Sequence, residues 1–534
     1  MGNNYRPKKI SATAIDKIRG FFSPEYIGVF FILGLGFLLR VYQLGKFSLW
    51  YDEVISIYEA QELFLSANGH YELLTFPPLL FLYILHLWLN FGTTEFALRL
   101  LPCLLGVVSI GVFYALGRKV GGPRTALLGS LLLAISPLHI YYSRECTSYA
   151  LWILMSLLSV YYFLRLTQKN LFRDWVGYTF FSIGCIYSHN FGFFTPLASG
   201  LFYFITVIPR GKNSRLLKRA ACFYSLIILS SFWLCFVFFQ GFKARLVQII
   251  FWIPRPSLAN FVQTLNVLNA GYNATAFLYA MGLVLFSGLF FLGCRRFKDK
   301  QVLLLLMFLL VIPIFTVALV SYWIPLYLHR YFFPVVLPYY LVIACGLSSL
   351  SRRVLSWILV LIICLSAISL GNYYRDVYPL KTSYLSQAIF EKKDYRGAGS
   401  YLKKHMRQDD IFINTSRATF GALWFYIDQK LFRYSENWIW GNLGKSDDWE
   451  HWSEIYPHLK SQARKTWSPS SRDIEECVSG QNRIWLIDSD WSLSGSENPR
   501  IKKWFDQDWL ILQESGFRGL KVYLYQKRQP QQNR

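Results

Sequence analysis

The chain has 534 residues, of which 54% are hydrophobic and 18% aromatic. This composition excludes an ordinary soluble enzyme and is typical of a polytopic membrane protein. The formal net charge of +24 resembles that of a nucleic-acid-binding protein. Its excess lies in short loops between apolar segments, where it orients the chain and contacts anionic membrane lipid, so we predict no nucleic-acid partner.

Apolar segments dominate residues 1–371. A spanning helix needs about 20 apolar residues. By this measure we predict eleven membrane spans, near residues 26–43, 98–117, 125–141, 148–165, 175–190, 192–209, 221–240, 275–293, 302–321, 331–350 and 354–371. Residues 1–25 are basic and lack a small-residue cleavage site, so we expect them to form a cytoplasmic N-terminus and the first span to remain as an anchor.

The run from Pro77 to Phe91 is apolar but short, and charge parity decides its placement. With eleven spans, every basic cluster of residues 1–371 falls on the side of the N-terminus. A further crossing at 77–91 would move most of these clusters to the other side, against the positive-inside rule. We therefore expect this run to lie in the outer interface, within a first outer loop of residues 44–97.

The tail, residues 372–534, is polar and follows an odd number of spans, so it is predicted to be extracytoplasmic. Two apolar stretches, 410–414 and 483–488, are typical of buried strands, and 510–526 predicts a closing hairpin. The fold class is thus a helical membrane domain of residues 26–371 followed by an α/β domain. The absence of a retention signal favours the plasma (inner) membrane as the location of the protein.

Acidic residues are rare in the membrane part. Residues 1–371 hold only 11 of the 31 Asp and Glu, and seven of these fall on the predicted outer face. A charge within or beside a bilayer is costly and usually marks function. The first candidate catalytic residues are Asp52 and Glu53, which follow Trp50 and Tyr51 at the predicted membrane–water interface. The alternative is a solvated acid pair that caps a helix over 53–66.

A second candidate is the segment from His139 to Tyr149. If it is helical, Glu145 and Tyr149 share a face, whereas a polar helix start is the simpler alternative. His189 ends a span and could equally be an interfacial histidine. Arg330, after His329, is suited to hold a phosphate, although an arginine contacting lipid headgroups is the alternative. The nine cysteines form no metal-like pattern, and we do not expect a disulfide between Cys146 and Cys477.

Several short motifs together resemble one known family. They are Trp50-Tyr-Asp-Glu53, Phe76-Pro-Pro-Leu79, Phe91-Gly92, Phe96-Ala-Leu-Arg99-Leu-Leu-Pro102, Ser136-Pro-Leu-His-Ile-Tyr-Tyr-Ser-Arg-Glu145, Tyr149-Ala150, and Arg330-Tyr331 ahead of Pro334 and Pro338. In order and spacing the chain resembles the family 39 glycosyltransferases of the membrane-embedded GT-C superfamily. Relatives in that family include protein O-mannosyltransferases, the aminoarabinose transferase of lipid A and rhizobial lipopolysaccharide sugar transferases.

The resemblance implies a sugar donor carried on a polyprenyl phosphate and chemistry at the outer membrane surface. It places the catalytic acid in the Asp52–Glu53 pair. The family usually continues with an arginine where this chain has Thr147, so a phosphate role shifts to Arg144 or Arg330. The predicted substrate-binding residues are Lys46, Tyr51, Tyr142, Arg144, Glu145, Tyr149, His189, His329, Arg330 and Tyr331.

The predicted reaction is an inverting single displacement with Asp52 as the general base. The acceptor is a lipid, a glycan or a protein of the cell envelope. No metal-ligand pattern is diagnostic, so a divalent metal ion is left open. Two alternatives from other classes are a lipid or polysaccharide transporter and a non-catalytic membrane scaffold that displays the tail.

Overall fold

The computed structural model describes residues 24–62, 78–211, 217–232, 253, 255–324, 326–380, 392–407, 410–414, 417–427, 438–440, 478, 480–489 and 499–528. Of the predicted features, the N-terminal residues, Phe76, Pro77 and Cys477 lie outside these residues. The polytopic helical class with a C-terminal α/β domain is confirmed.

Helices make up most of the described part of residues 1–380. They are α1 Pro24–Val41, α2 Tyr51–Glu62, α3 Leu79–Trp88, α4 Glu95–Ile135, α5 Pro137–Tyr142, α6 Tyr149–Lys169, α7 Phe172–Ser188, α8 Phe194–Phe202, α9 217–232, α10 Leu258–Ala270, α11 Ala276–Arg296, α12 Lys300–Val320, α13 Val336–Ser348 and α14 Arg352–Arg375. A 3-10 turn, Leu89–Phe91, follows α3, and a π turn, Tyr203–Val207, with the short helix Ile208–Gly211 extends α8. A 3-10 turn, His329–Val335, precedes α13.

Seven stretches of the described residues are long and apolar enough to cross a membrane. They are Pro24–Val41, Glu95–Ile135, Tyr149–Lys169, Ala276–Arg296, Lys300–Val320, His329–Ser348 and Arg352–Arg375. Helix α4 is broken at Gly122, whose φ of 81° is non-helical, so its two halves correspond to two predicted spans. Of the remaining predicted spans, 175–190 and 192–209 coincide with shorter helices, and the described part of 221–240 is helical.

One predicted span needs a correction at its end. We expected a continuous span over 125–141, but α4 ends at Ile135 and Ser136 is extended. Pro137 disfavours a helical conformation in the residue before it. The Ser136 hydroxyl instead accepts a hydrogen bond from the His139 backbone N–H and so caps α5. This break turns the chain into the segment that carries Arg144 and Glu145.

The tail forms a five-stranded sheet. Its elements are α15 Tyr395–His405, β1 Ile411–Asn414, α16 Arg417–Ile427, β2 Trp438–Trp440, β3 Arg483–Ser489, α17 Pro499–Asp508, β4 Trp509–Phe517 and β5 Leu520–Lys527. The strand order is β2-β1-β3-β5-β4, with β2, β1 and β3 parallel and β4 and β5 antiparallel neighbours. The two predicted strands and the closing hairpin are confirmed.

The tail has one buried cluster of its own, which includes Ile484 and Phe505, and shares a second with the helical domain. Apolar side chains of α2, including Val54 and Ile57, belong to the same buried cluster as Leu402 and Leu423 of the tail. Burying apolar surface is the main source of stability at such contacts. The helix that carries Asp52 and Glu53 is therefore supported from one side by the C-terminal domain.

Candidate active site

Asp52 and Glu53 lie in the first turn of α2 and point to different partners, as their adjacency requires. Glu53 is fully buried, whereas the Asp52 side chain keeps 36% of its surface exposed. Helix α2 begins at Tyr51, so the two acids do lie in its first turn, as expected for an acid pair that caps a helix. However, each carboxylate is engaged by an arginine from elsewhere in the chain, so neither is simply a solvated cap.

Glu53 is locked by Arg99, which lies near the start of α4. The guanidinium contacts both carboxylate oxygens at 2.7 Å in a bidentate pair. Glu53 also accepts hydrogen bonds from the backbone N–H of Trp50 (3.2 Å) and of Cys146 (2.9 Å). Despite its burial, Arg99 and these bonds hold the pKa of Glu53 below its usual value. Both oxygens of this carboxylate are occupied.

Arg99 uses its remaining donors on the loop that leads to Asp52. Its two terminal nitrogens donate to the backbone carbonyls of Leu44 (3.2 Å), Phe47 (2.7 Å) and Ser48 (2.9 Å). A guanidinium with five donors in a rigid fork is suited to such multiple contacts. The Arg99–Glu53 pair thus ties together α4, the loop before α2, α2 itself and the turn that contains Cys146.

Asp52 pairs with Arg330, which comes from the 3-10 turn before α13. Arg330 contacts the Asp52 carboxylate at 3.2 Å and lies 5.7 Å from the ring centre of Tyr331. Burial raises the pKa of Asp52, while the positive charges of Arg330 and Lys392 oppose that rise. A partly exposed carboxylate with a raised pKa has the properties that a general base needs.

Glu145 pairs with a residue that the sequence analysis did not single out. Lys392, which precedes α15, contacts one oxygen of Glu145 at 2.9 Å. Both side chains are nearly fully buried. Burial raises the pKa of Glu145, and Lys392 opposes the rise. Conversely, the charges of Glu145 and Glu53 hold the pKa of Lys392 above its usual value despite its burial.

Three carboxylates and three cations therefore meet in one-to-one pairs. The cations come from α4, from the turn before α13 and from the C-terminal domain. Such buried pairs are weak contributors to net stability, but removing one partner is costly because the other charge is left uncompensated. The arrangement fixes the position of each carboxylate.

Arg144 lies beside this cluster but contacts none of the three carboxylates closely. Its guanidinium packs over the rings of Tyr373 (5.2 Å) and Tyr374 (4.8 Å) of α14 and donates to the Gln43 carbonyl oxygen at 3.2 Å. Two of its nitrogens are buried without a hydrogen-bond partner among the described residues.

The predicted aromatic residues form a wall next to Arg330. The Tyr142 hydroxyl is 2.7 Å from that of Tyr272, and the Tyr142 and Tyr149 ring centres are 4.5 Å apart. His189 stacks on Trp152 at 4.0 Å, and its Nδ1 accepts a hydrogen bond from the Phe191 backbone. These contacts agree with the alternative that His189 is an interfacial histidine without a role in substrate binding. Tyr331 completes the wall by stacking on Phe191 at 4.5 Å.

Three predicted substrate-binding residues are not brought into this cluster. Lys46 is exposed and donates to Gln43 (3.2 Å) and to the Tyr374 carbonyl oxygen (3.2 Å). Tyr51 is half-buried at the start of α2, and His329 is buried at the first position of the 3-10 turn that carries Arg330. None of these three makes a close contact with a carboxylate of the cluster in the described residues.

An apolar cavity of about 30 Å³ lies behind the aromatic wall. Trp152 and Tyr331 line it together with residues of α4, α12 and α13, among them Leu116, Leu306, Leu309, Pro313, Leu337 and Leu341. This volume holds a water molecule or two but not a prenyl chain. A lipid chain would enter here only if these helices moved apart.

Within the described residues, no three His, Cys, Asp or Glu side chains converge as metal ligands do. The three carboxylates of the cluster are each paired with a cation, and a divalent ion would have to displace these cations. The residues therefore do not fit a metal site in this arrangement. Cys146 is a buried free thiol.

Comparison with known proteins supports the same assignment of fold. Residues 77–236 match the family described as dolichyl-phosphate-mannose-protein mannosyltransferase. The structure of ArnT from Cupriavidus metallidurans bound to undecaprenyl phosphate superposes with a TM-score of 0.60 at 12% identity, covering 96% of this chain and 98% of that one. The chain therefore has the fold of ArnT. The predicted resemblance to GT-C glycosyltransferases is thereby confirmed.

Two further GT-C structures are similar. The Archaeoglobus fulgidus oligosaccharyltransferase matches with a TM-score of 0.52 at 11% identity, over 88% of this chain and 70% of that one. Mycobacterial arabinofuranosyltransferase AftD matches with 0.52 at 14% identity, over 94% and 40%. A curated Aquifex aeolicus protein, described as uncharacterized, is 24% identical over 246 residues. That match covers 43% of this chain and about half of the relative, 49%.

Proposed function

We propose that this protein transfers a sugar from a polyprenyl-phosphate donor to a lipid, glycan or protein acceptor of the cell envelope. The GT-C fold and the similarity to mannosyl-, aminoarabinose- and arabinofuranosyltransferases support a transferase. The donor class is supported by the undecaprenyl phosphate bound to ArnT. Catalysis takes place at the outer face of the membrane, with the N-terminus in the cytoplasm and residues 372–534 outside.

The observation that carries the proposal is the Asp52–Arg330 pair beside the aromatic wall and the apolar cavity. Arg330 Nη1 and Asp52 Oδ2 are 3.2 Å apart, and Tyr331, the next residue after Arg330, lines the cavity. A base and a phosphate-binding cation thus stand together where the polar loops meet the hydrocarbon-facing helices. Transfer of a sugar from a polyprenyl phosphate needs both groups at this boundary: a base for the acceptor hydroxyl and a cation for the phosphate.

The reaction is a single displacement with inversion at the anomeric carbon. Asp52 accepts the proton of an acceptor hydroxyl while that oxygen forms the new bond to the anomeric carbon. The bond from the anomeric carbon to the phosphate oxygen breaks, and the polyprenyl phosphate leaves with the electron pair. Arg330 stabilises the charge that develops on this phosphate.

Glu53 fits a positioning role better than the catalytic role predicted from the sequence. Both of its oxygens accept hydrogen bonds from Arg99 or from backbone N–H groups, which leaves no oxygen to receive a proton. Its contribution is to fix the first turn of α2 and the turn at Cys146. Asp52, one residue earlier, is thereby held in place.

The test replaces Asp52 by asparagine in the full-length protein, purified in lipid nanodiscs. We expect loss of sugar transfer and retained binding of undecaprenyl phosphate, because the amide cannot accept the proton. Asp508→Asn, an exposed carboxylate at the end of α17, is the matched control and should be fully active. An Asp52→Asn variant with wild-type turnover would refute the assignment of the base.

The same variant distinguishes a transferase from a lipid or polysaccharide transporter and from a non-catalytic membrane scaffold. A transporter would lose flux without any change in product chemistry, and a scaffold would be unaffected. Comparing the cell-envelope glycans of a deletion strain with those of its parent would then identify the sugar and the acceptor.

A further inference from the structure

Lys392 reaches the carboxylate cluster from the C-terminal domain. Its side chain is 7% exposed, and its Nζ is 2.9 Å from one oxygen of Glu145. The same nitrogen is 5.3 Å from the ring centre of Trp50 and 5.8 Å from that of Tyr141. Lysine is almost never buried to this degree unless it is paired. The ion pair with Glu145 accounts for this burial, so the tail contributes a charged side chain to the candidate site.

The backbone of Lys392 is held independently of its side chain. Its N–H donates to Asp376 at 3.2 Å, and its carbonyl oxygen accepts a hydrogen bond from Arg518. Arg518 also pairs with Asp376 at 3.0 Å. Because both peptide groups are fixed, the lysine side chain is delivered to Glu145 by the fold of the tail and by the end of α14.

The C-terminal domain also fixes the loop that leads to Asp52. Arg396 donates to the backbone carbonyl of Lys46 (2.9 Å) and to the carboxylate of Glu95 (3.1 Å). The Tyr426 hydroxyl donates to Glu95 (3.0 Å) and accepts from the backbone N–H of Leu49 (2.7 Å). The tail thus positions two parts of the candidate site.

Glu145 has one oxygen left over. Its side chain is 1% exposed, one oxygen binds Lys392, and the other, Oε2, has no hydrogen-bond partner among the described residues. A buried acceptor without a donor is unfavourable and is usually satisfied by water or by a ligand. Carboxylate oxygens accept only, so the ligand must offer a hydroxyl or N–H donor.

We infer that the C-terminal domain is part of the sugar-binding site. Lys392 is a positioning residue that holds Glu145 so that Oε2 accepts a hydrogen bond from a hydroxyl of the donor's sugar. The inference rests on the proposed function. It assigns the tail a role in recognising the sugar, whereas Arg330 recognises the lipid phosphate.

The test compares binding of two probes to the full-length protein in nanodiscs. One probe is bare undecaprenyl phosphate, and the other is undecaprenyl phosphate carrying a hexose or a pentose. Lys392→Met should weaken binding of the preferred sugar-bearing lipid about tenfold or more, the value of one hydrogen bond to a charged group, and leave bare lipid binding unchanged. Lys392→Arg, which keeps the charge, should restore most of the affinity.

Two variants keep the result interpretable. Lys403→Met removes an exposed charge of the same domain and should bind both probes like the wild type. Glu145→Gln retains an oxygen acceptor but not the ion pair, and should show the same selective loss as Lys392→Met. In turnover, both site variants should raise the KM for the sugar donor more than they lower kcat.

The outcomes separate the inference from the function on which it rests. Equal affinity of Lys392→Met and the wild type for the preferred sugar-bearing lipid would overturn the inference alone. A parallel loss for both probes would also overturn it, since that pattern indicates a structural role only. If the wild-type protein prefers no sugar-bearing lipid over the bare phosphate, the proposed function fails and the inference fails with it.

Discussion

Replacing Glu53 by glutamine leaves Arg99 buried with an uncompensated charge. The wild-type pair has two contacts of 2.7 Å, and both side chains are at most 4% exposed. Breaking a buried ion pair from one side costs about 3–5 kcal/mol. We expect a loss of stability in this range. The double variant Glu53→Gln/Arg99→Met should lose less than the sum of the two single variants, because no charge is stranded.

Cys146 provides a local readout of this change. Its backbone N–H donates to Glu53 at 2.9 Å, and its thiol is buried. In a background where the eight other cysteines are replaced by serine, maleimide labelling of Cys146 should be slow in the wild type and fast in Glu53→Gln. Thermal unfolding in nanodiscs gives the global effect. A Glu53→Gln protein with unchanged labelling and a stability loss below about 1 kcal/mol would refute the role of the pair as a lock.

Three further outcomes are expected. A cysteine at Lys218 should not react with an impermeant reagent in intact cells, whereas one on the exposed side of α15 should; the reverse would invert the topology. Because Asp52 must be ionised to act and the charge of Arg330 lowers its pKa, Arg330→Gln should shift the acidic limb of the kcat/KM profile to higher pH; an unshifted limb would contradict Asp52 as the base. Gly293→Ala should lower the melting temperature, because its Cβ would lie 2.0 Å from a carbonyl oxygen of α13, whereas Gly288→Ala on the same helix meets nothing within 4 Å and should be neutral.

Local patterns in the sequence were sufficient for most of the fold. The hydropathy of the spans and the apolar strands at 410–414 and 483–488 predicted the two-part architecture, because each signal depends on residues close together in the chain. The end of the span at 125–141 was wrong by several residues. The signal was Pro137, which ends the helix before it even though the apolar run continues.

The pairing of charges was harder to predict. Arg99 was present in a motif but received no role, although a single arginine at the start of an apolar span is itself a sign of a partner nearby. Lys392 gave no comparable signal. It is one of many basic residues in a polar domain, and 247 residues separate it from Glu145. Only the fold of the tail brings the two together.

The charge balance of the site has a consequence for catalysis. The three pairs leave the cluster close to neutral when no donor is bound. On the proposed mechanism, the donor phosphate adds negative charge and competes with Asp52 for Arg330. When Arg330 also binds the donor phosphate, its interaction with Asp52 weakens. The proton affinity of the Asp52 carboxylate therefore rises once the donor is bound. Glu53 and Glu145 have cations of their own, so this change is largest at Asp52, the carboxylate that must accept a proton.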